Sequence, residues 1–81
     1  MMENGAATLY SRQDCPLCEE WLERLQQWPL NLRVRDIDAD AELRRRYQWR
    51  VPVLRLQDGR DFDLALEDGA ERAWKAITKE R

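Results

Sequence analysis

"YSRQDCPLCEEWLERLQQW", residues 10–28, decides how this chain of 81 residues is read. It holds the two cysteines of the sequence, Cys15 and Cys18, with Pro16 and Leu17 between them. From Leu17 onward the apolar positions are Leu17, Cys18, Trp21, Leu22, Leu25 and Trp28. Spacings of three and four wind these into one stripe of a helix, leaving Glu19, Glu20, Glu23, Arg24 and Gln27 toward water. Pro29 ends that helix, because the residue before a proline is disfavoured in helical geometry. Upstream, "AATLYS" (6–11) carries the β-formers Thr8 and Tyr10 and is expected to be a strand. The cysteine pair therefore lies at a strand-to-helix junction.

The elements that follow extend the pattern. "LNLRVRDID" (30–38) alternates Leu32 and Val34 with Arg33 and Arg35, as suits a strand with one wet face at a sheet edge. "DADAELRRRYQ" (38–48) predicts a short helix, capped by Asp38 or Asp40, with Glu42 in its first turn and arginines in its last. "VPVLRL" (51–56) and "RDFDL" (60–64) are two strands of a hairpin turning at Asp58-Gly59. From about Asp68 a last helix carries Ala70, Ala73, Trp74 and Ile77 on one stripe. The order is βαβαββα in a single domain spanning 1–81, with residues 1–5 a loose tail. Its opening strand–helix–strand is a right-handed parallel crossover. The fold class is α/β, a thioredoxin-like three-layer arrangement with a four-stranded mixed sheet flanked by helices.

Composition narrows the function. Net charge is −2 with acids and bases interspersed, which offers nucleic acid no basic face; "RRR" at 44–46 is a solvated helix end. No stretch has the roughly 18 apolar residues of a membrane span, and "MMENGAA" is not built like a secretory signal. A cytoplasmic protein is expected, and there a disulfide is usually transient and chemical. The pair could otherwise clamp a metal or staple a loop. Zinc wants four ligands, and two cysteines without histidine cannot complete a site in one chain, although two chains sharing a metal or an iron–sulfur cluster could. A disulfide closing so short a loop removes little chain entropy. C-x-x-C after a strand, opening a helix within a βαβ pattern, points instead to thiol redox chemistry.

The position assigns roles. Cys15 falls at the helix start, where unpaired N–H groups and the helix dipole favour a thiolate, and Pro16 fits the first turn because its missing N–H costs no intrahelical bond. Cys18, one turn on, is the resolving thiol. Asp14 opposes the Cys15 thiolate, and Arg12 supports it.

"LYSRQDCPLC" with "RVPVL" about 35 residues later resembles the glutaredoxin family, in particular its small glutaredoxin-like members, over residues 7–79. The resemblance implies a thiol–disulfide oxidoreductase with Cys15 as nucleophile and Cys18 as resolving thiol. It implies a cis Pro52 beside the pair and a Val51 whose backbone meets the substrate as an added strand would. Arg12 stands where many glutaredoxins carry a lysine that holds a glutathione carboxylate. The Gly-Gly that precedes the last helix in typical glutaredoxins is replaced by "DFDLALEDGA", where Asp63 or Asp68 could substitute. Leu17 takes the place of a frequent tyrosine.

The candidate site is thus Cys15 and Cys18 for catalysis, with Arg12, Pro16, Leu17, Trp49, Val51 and Pro52 toward substrate. No bound cofactor or metal is expected; glutathione is a candidate cosubstrate. The partner is a protein or small-molecule disulfide, met by a monomer. A non-catalytic binding module of the same fold is the main rival. Trp21, Trp28 and Trp74 are expected in the core, Trp49 either in the substrate groove or in core or loop packing, and Arg50 in solvent rather than at a substrate carboxylate.

Overall fold

The computed structural model describes residues 5–79. Its elements are β1 (Gly5–Ser11), α1 (Pro16–Leu25), β2 (Leu30–Asp36), a 3-10 turn (Ile37–Ala39), α2 (Ala41–Tyr47), β3 (Val53–Leu56), β4 (Asp61–Asp63) and α3 (Glu67–Lys79). The sheet runs β2-β1-β3-β4, with β1 parallel to β2 and antiparallel to β3, and β4 antiparallel to β3. The expected mixed four-stranded sheet is present, and β2 lies at its edge. The expected tail at 1–5 falls outside the described residues except for Gly5, which pairs with Leu30 as the first residue of β1.

Strand alternation divides the core between the two faces of the sheet. Ala7 and Leu9 of β1, Leu54 and Leu56 of β3 and Phe62 of β4 point to one side, where Trp21 and Leu25 of α1 and Ala73 and Ile77 of α3 cover them. Tyr10 and Val53 point to the other, beneath Leu43 and Tyr47 of α2 and Ile37. Three layers result.

Local chemistry shifts several boundaries. Asp40 rather than Asp38 caps α2, its carboxylate accepting from the N–H groups of Glu42 and Leu43. α1 stops at Leu25, short of the expected Trp28, and the chain turns through Gln26 and Gln27 before Pro29. Trp28 still packs edge-on against Trp21 and Trp74, with ring centroids 6.1 and 4.9 Å apart. Trp74 is nevertheless 43% exposed, a correction to its expected core position: it lies over Trp28 at the rim. The β3–β4 connection is a loop at 57–60, with Gly59 at φ +97 in the left-handed region that favours glycine.

The α2 face also carries a polar cluster that alternation alone does not reveal. Tyr47 is 1% exposed and stacks on Tyr10 with centroids 4.5 Å apart. Its hydroxyl donates to Asp61 Oδ2 and accepts from Arg55 Nη1, each at 3.1 Å. The Arg55 guanidinium is held more basic than usual, first by that bond to Tyr47 and then by the charge of Asp61. Asp61 Oδ1 is buried with no hydrogen-bond partner among the described residues. Replacing Tyr47 with phenylalanine keeps the ring stack and leaves Asp61 still less satisfied. Urea unfolding is expected to show a loss of about 1–3 kcal/mol, the cost of a buried polar group left unpaired; an unchanged midpoint would show that the hydroxyl contributes nothing.

Candidate functional site

β1 ends at Ser11, and the chain passes through Arg12, Gln13 and Asp14 into α1. Asp14 adopts the left-handed conformation (φ 57), which aspartate tolerates better than most side chains and which turns the chain into the helix. Cys15 is the N-cap of α1, and its sulfur accepts from the N–H of Cys18 at 3.2 Å. Pro16 occupies the first helical position, as expected. Cys15 and Cys18 are joined in a disulfide, with their α-carbons 5.2 Å apart.

The two sulfurs differ in access. Cys18 is buried in the inner stripe of α1, while Cys15 is half-buried at the helix tip. Leu17, between them, is 39% exposed and leaves the apolar stripe on which its spacing placed it.

The opposite wall comes from the start of β3. Tyr10 pairs with Val53, so the end of β1 and the segment before β3 share one end of the sheet. The Val51–Pro52 peptide is cis. The Pro52 carbonyl accepts from Leu64 N–H at 2.9 Å, and the Val51 N–H donates to the Tyr47 carbonyl at 3.2 Å. Pro52 is buried and Val51 is half-buried.

Arg12 holds the two walls together. Its Nε and Nη2 donate to Asp38 at 3.1 and 2.9 Å, and its Nη1 donates to the Gln48 carbonyl at 3.3 Å. One guanidinium thus ties the cysteine loop to the 3-10 turn and to the end of α2. Its fork is engaged within the protein rather than facing outward.

Arg50, expected in solvent, instead binds Asp63: Nε and Nη2 donate to Oδ1 at 3.1 and 2.8 Å. That bond to Asp63 is the main reason its guanidinium is raised above its ordinary basicity. Its charged end also lies 5.3 Å from the Tyr47 ring centre. Of the two carboxylates considered as substitutes near α3, Asp63 is therefore occupied, and Asp68 lies exposed, 3.8 Å from Arg72. Trp49, between Gln48 and Arg50, is 87% exposed, which excludes the packing alternative for its ring. Leu66, after β4, is 59% exposed at the same end of the sheet. Its sequence neighbours gave no reason to place it there, because its location depends on the β3–β4 register.

The family model described as Glutaredoxin-like domain (DUF836) matches residues 6–81. The chain belongs to this glutaredoxin-like family. Among solved structures, the X-ray structure of protein XcR50 from X. campestris is 42% identical, with a TM-score of 0.69 over 84% of this chain and 92% of that one. The solution structure of protein Ne2328 from Nitrosomonas europaea is 28% identical, with a TM-score of 0.70 over 91% and 94% of the two chains. No curated protein matches the chain. The glutaredoxin-like fold thus extends across the described residues, with the C-x-x-C pair as a disulfide at the tip of α1.

Proposed function

We propose that this glutaredoxin-like protein is a thiol–disulfide oxidoreductase cycling Cys15 and Cys18 between dithiol and disulfide. The observation that carries the reading is the half-buried Cys15 sulfur at the N-cap of a ten-residue helix, bonded to the buried Cys18. In the reduced protein, the Cys15 thiolate attacks one sulfur of a substrate disulfide and the other substrate sulfur leaves as a thiolate. Cys18 then loses its proton and attacks Cys15 Sγ, forming the intramolecular disulfide and releasing the second substrate sulfur. Two electrons pass to the substrate, and two protons complete its dithiol. The reverse sequence oxidises a dithiol. The protein would act as a monomer in a reducing compartment, with glutathione or a reductase as electron donor.

The N-cap position stabilises the charged form of Cys15: the Cys18 N–H that meets its sulfur and the helix dipole both favour negative charge. Reduced Cys15 is therefore expected to titrate below the about 8.5 of a free thiol. Its alkylation by iodoacetamide should reach its plateau at a lower pH than that of a free cysteine. Absorbance of the thiolate near 240 nm gives the same midpoint. A midpoint no lower than that of a free cysteine would remove the basis for Cys15 as nucleophile.

The reading as a whole is tested by equilibrating the protein in glutathione buffers of graded potential, then trapping free thiols for mass analysis. A single two-electron transition between dithiol and disulfide supports it. A pair that stays in one state throughout contradicts it.

A further inference from the structure

Five large apolar side chains are exposed among the described residues: Leu17, Val34, Trp49, Leu66 and Trp74. Trp74 rests on Trp28, and Val34 lies on the edge strand. The other three belong to segments at the cysteine end of the sheet. Leu17 stands between the two cysteines. Trp49 follows Gln48, whose carbonyl is held by Arg12 of the cysteine loop, and precedes the cis Val51–Pro52 peptide. Leu66 follows Asp63, which pairs with Val53 at the start of β3, and Leu64 N–H donates to the Pro52 carbonyl. Three separate segments thus bring an aliphatic or aromatic side chain to one end of the sheet.

The charges at that end are arranged oppositely. Arg12 of the cysteine loop is bound to Asp38, and Arg50, next to the cis Val51–Pro52 peptide, is bound to Asp63, so each of these cations already faces a carboxylate. Asp14, exposed next to Cys15, makes no ion pair among the described residues. A small anionic thiol bearing two carboxylates, such as glutathione, would have to compete with Asp38 and Asp63 for these guanidinium groups. An extended polypeptide with apolar residues flanking its cysteine would instead cover exposed apolar surface and keep both pairs intact. Burying that surface is favourable at about 25 cal/mol per Å².

We propose that Trp49, with Leu17 and Leu66, selects a polypeptide disulfide flanked by apolar side chains over a glutathione disulfide. The inference rests on the thiol–disulfide reading and names its substrate class. The exchange itself is unchanged: the Cys15 thiolate attacks the peptide sulfur, the leaving group departs as a thiolate, and Cys18 frees the peptide thiol.

The test uses pre-reduced protein in single turnover with three mixed disulfides of 2-nitro-5-thiobenzoate, whose release is read by absorbance. One carries a peptide with leucine and phenylalanine beside its single cysteine, the second a peptide with serine and aspartate there, and the third glutathione. The unaltered protein is expected to react fastest with the apolar peptide. Trp49→Ser should slow that substrate about tenfold, the effect of losing one modest apolar contact, and should reduce its preference over glutathione by a similar factor. Trp49→Phe should restore most of it. Because the ring makes no core contact, neither variant disturbs folding. Equal slowing of all three substrates, no slowing, or a loss confined to glutathione would overturn the selection. Absence of reaction by the unaltered protein with every substrate would instead refute the thiol–disulfide reading itself.

Discussion

Serine in place of Cys15 is expected to abolish disulfide exchange, bringing the rate down to that of the solution without protein. Serine in place of Cys18 should leave the first attack intact and block the second. The two variants therefore separate the steps. With a disulfide substrate, Cys18→Ser should accumulate a covalent adduct whose added mass equals one substrate thiol less two hydrogens, reversible by dithiothreitol, whereas Cys15→Ser should accumulate none. The asymmetry follows from access, since Cys18 is buried on the inner stripe of α1 and Cys15 is half-buried at its tip. A Cys15→Ser protein that traps substrate through Cys18 would reverse the assigned roles. Neither substitution removes much apolar volume, so circular dichroism should show both variants folded.

Gly69→Ala should destabilise the fold strongly. Gly69 lies in the first turns of α3, where alanine would ordinarily improve a helix by about 1 kcal/mol. A Cβ at this position, however, would collide with the backbone carbonyl oxygen of Asp63 and approach its carbonyl carbon to 2.9 Å. Backbone cannot rotate aside as the end of a flexible side chain can. Either α3 lifts from β4 or the β4–α3 turn opens, and both expose Ala73 and Ile77, which α3 contributes to the core. The expected net loss is about 2–4 kcal/mol, a decrease in melting temperature of roughly 10–25 °C for a domain of this size. Gly5→Ala is the control, since nothing lies within 4 Å of a Cβ there. Thermal unfolding of the two variants would decide the matter, and an unshifted Gly69→Ala transition would show that the close approach is not needed.

These two sites differ in how legible they are from residues alone. The cysteine pair could be placed because strand pattern, helix pattern, Pro16 and the spacing of Cys15 and Cys18 are all local. The element order and the mixed sheet followed from the same local periodicities. Gly69 could not be placed, because its requirement comes from Asp63 approaching through the β4–α3 turn. The same limit explains Arg50 and Arg12. Their charges suggested solvent or a ligand, and their partners, Asp63 and Asp38, lie thirteen and twenty-six residues away. Helix ends were legible where the local pattern marks them. Asp38 and Asp40 bracketed the start of α2, which Asp40 caps, but the end of α1 at Leu25 had no such signal before Pro29. Leu17 and Trp74 show the opposite failure, in which a correct stripe was given too much width at its margins. The cis Pro52 was implied only by the family resemblance, since cis bonds are about 5–6% of X–Pro bonds in folded proteins.

The distribution of the four tryptophans has a spectroscopic consequence. Three form a chain of ring contacts, Trp21 to Trp28 to Trp74, while Trp49 is exposed to water at the cysteine end of the sheet. Emission from the indole at the mouth of the site should be red-shifted and open to acrylamide, while the trio answers mainly to the integrity of the α1–α3 layer. A bound peptide and a loosened core would consequently leave different signatures in one fluorescence spectrum, without any added label.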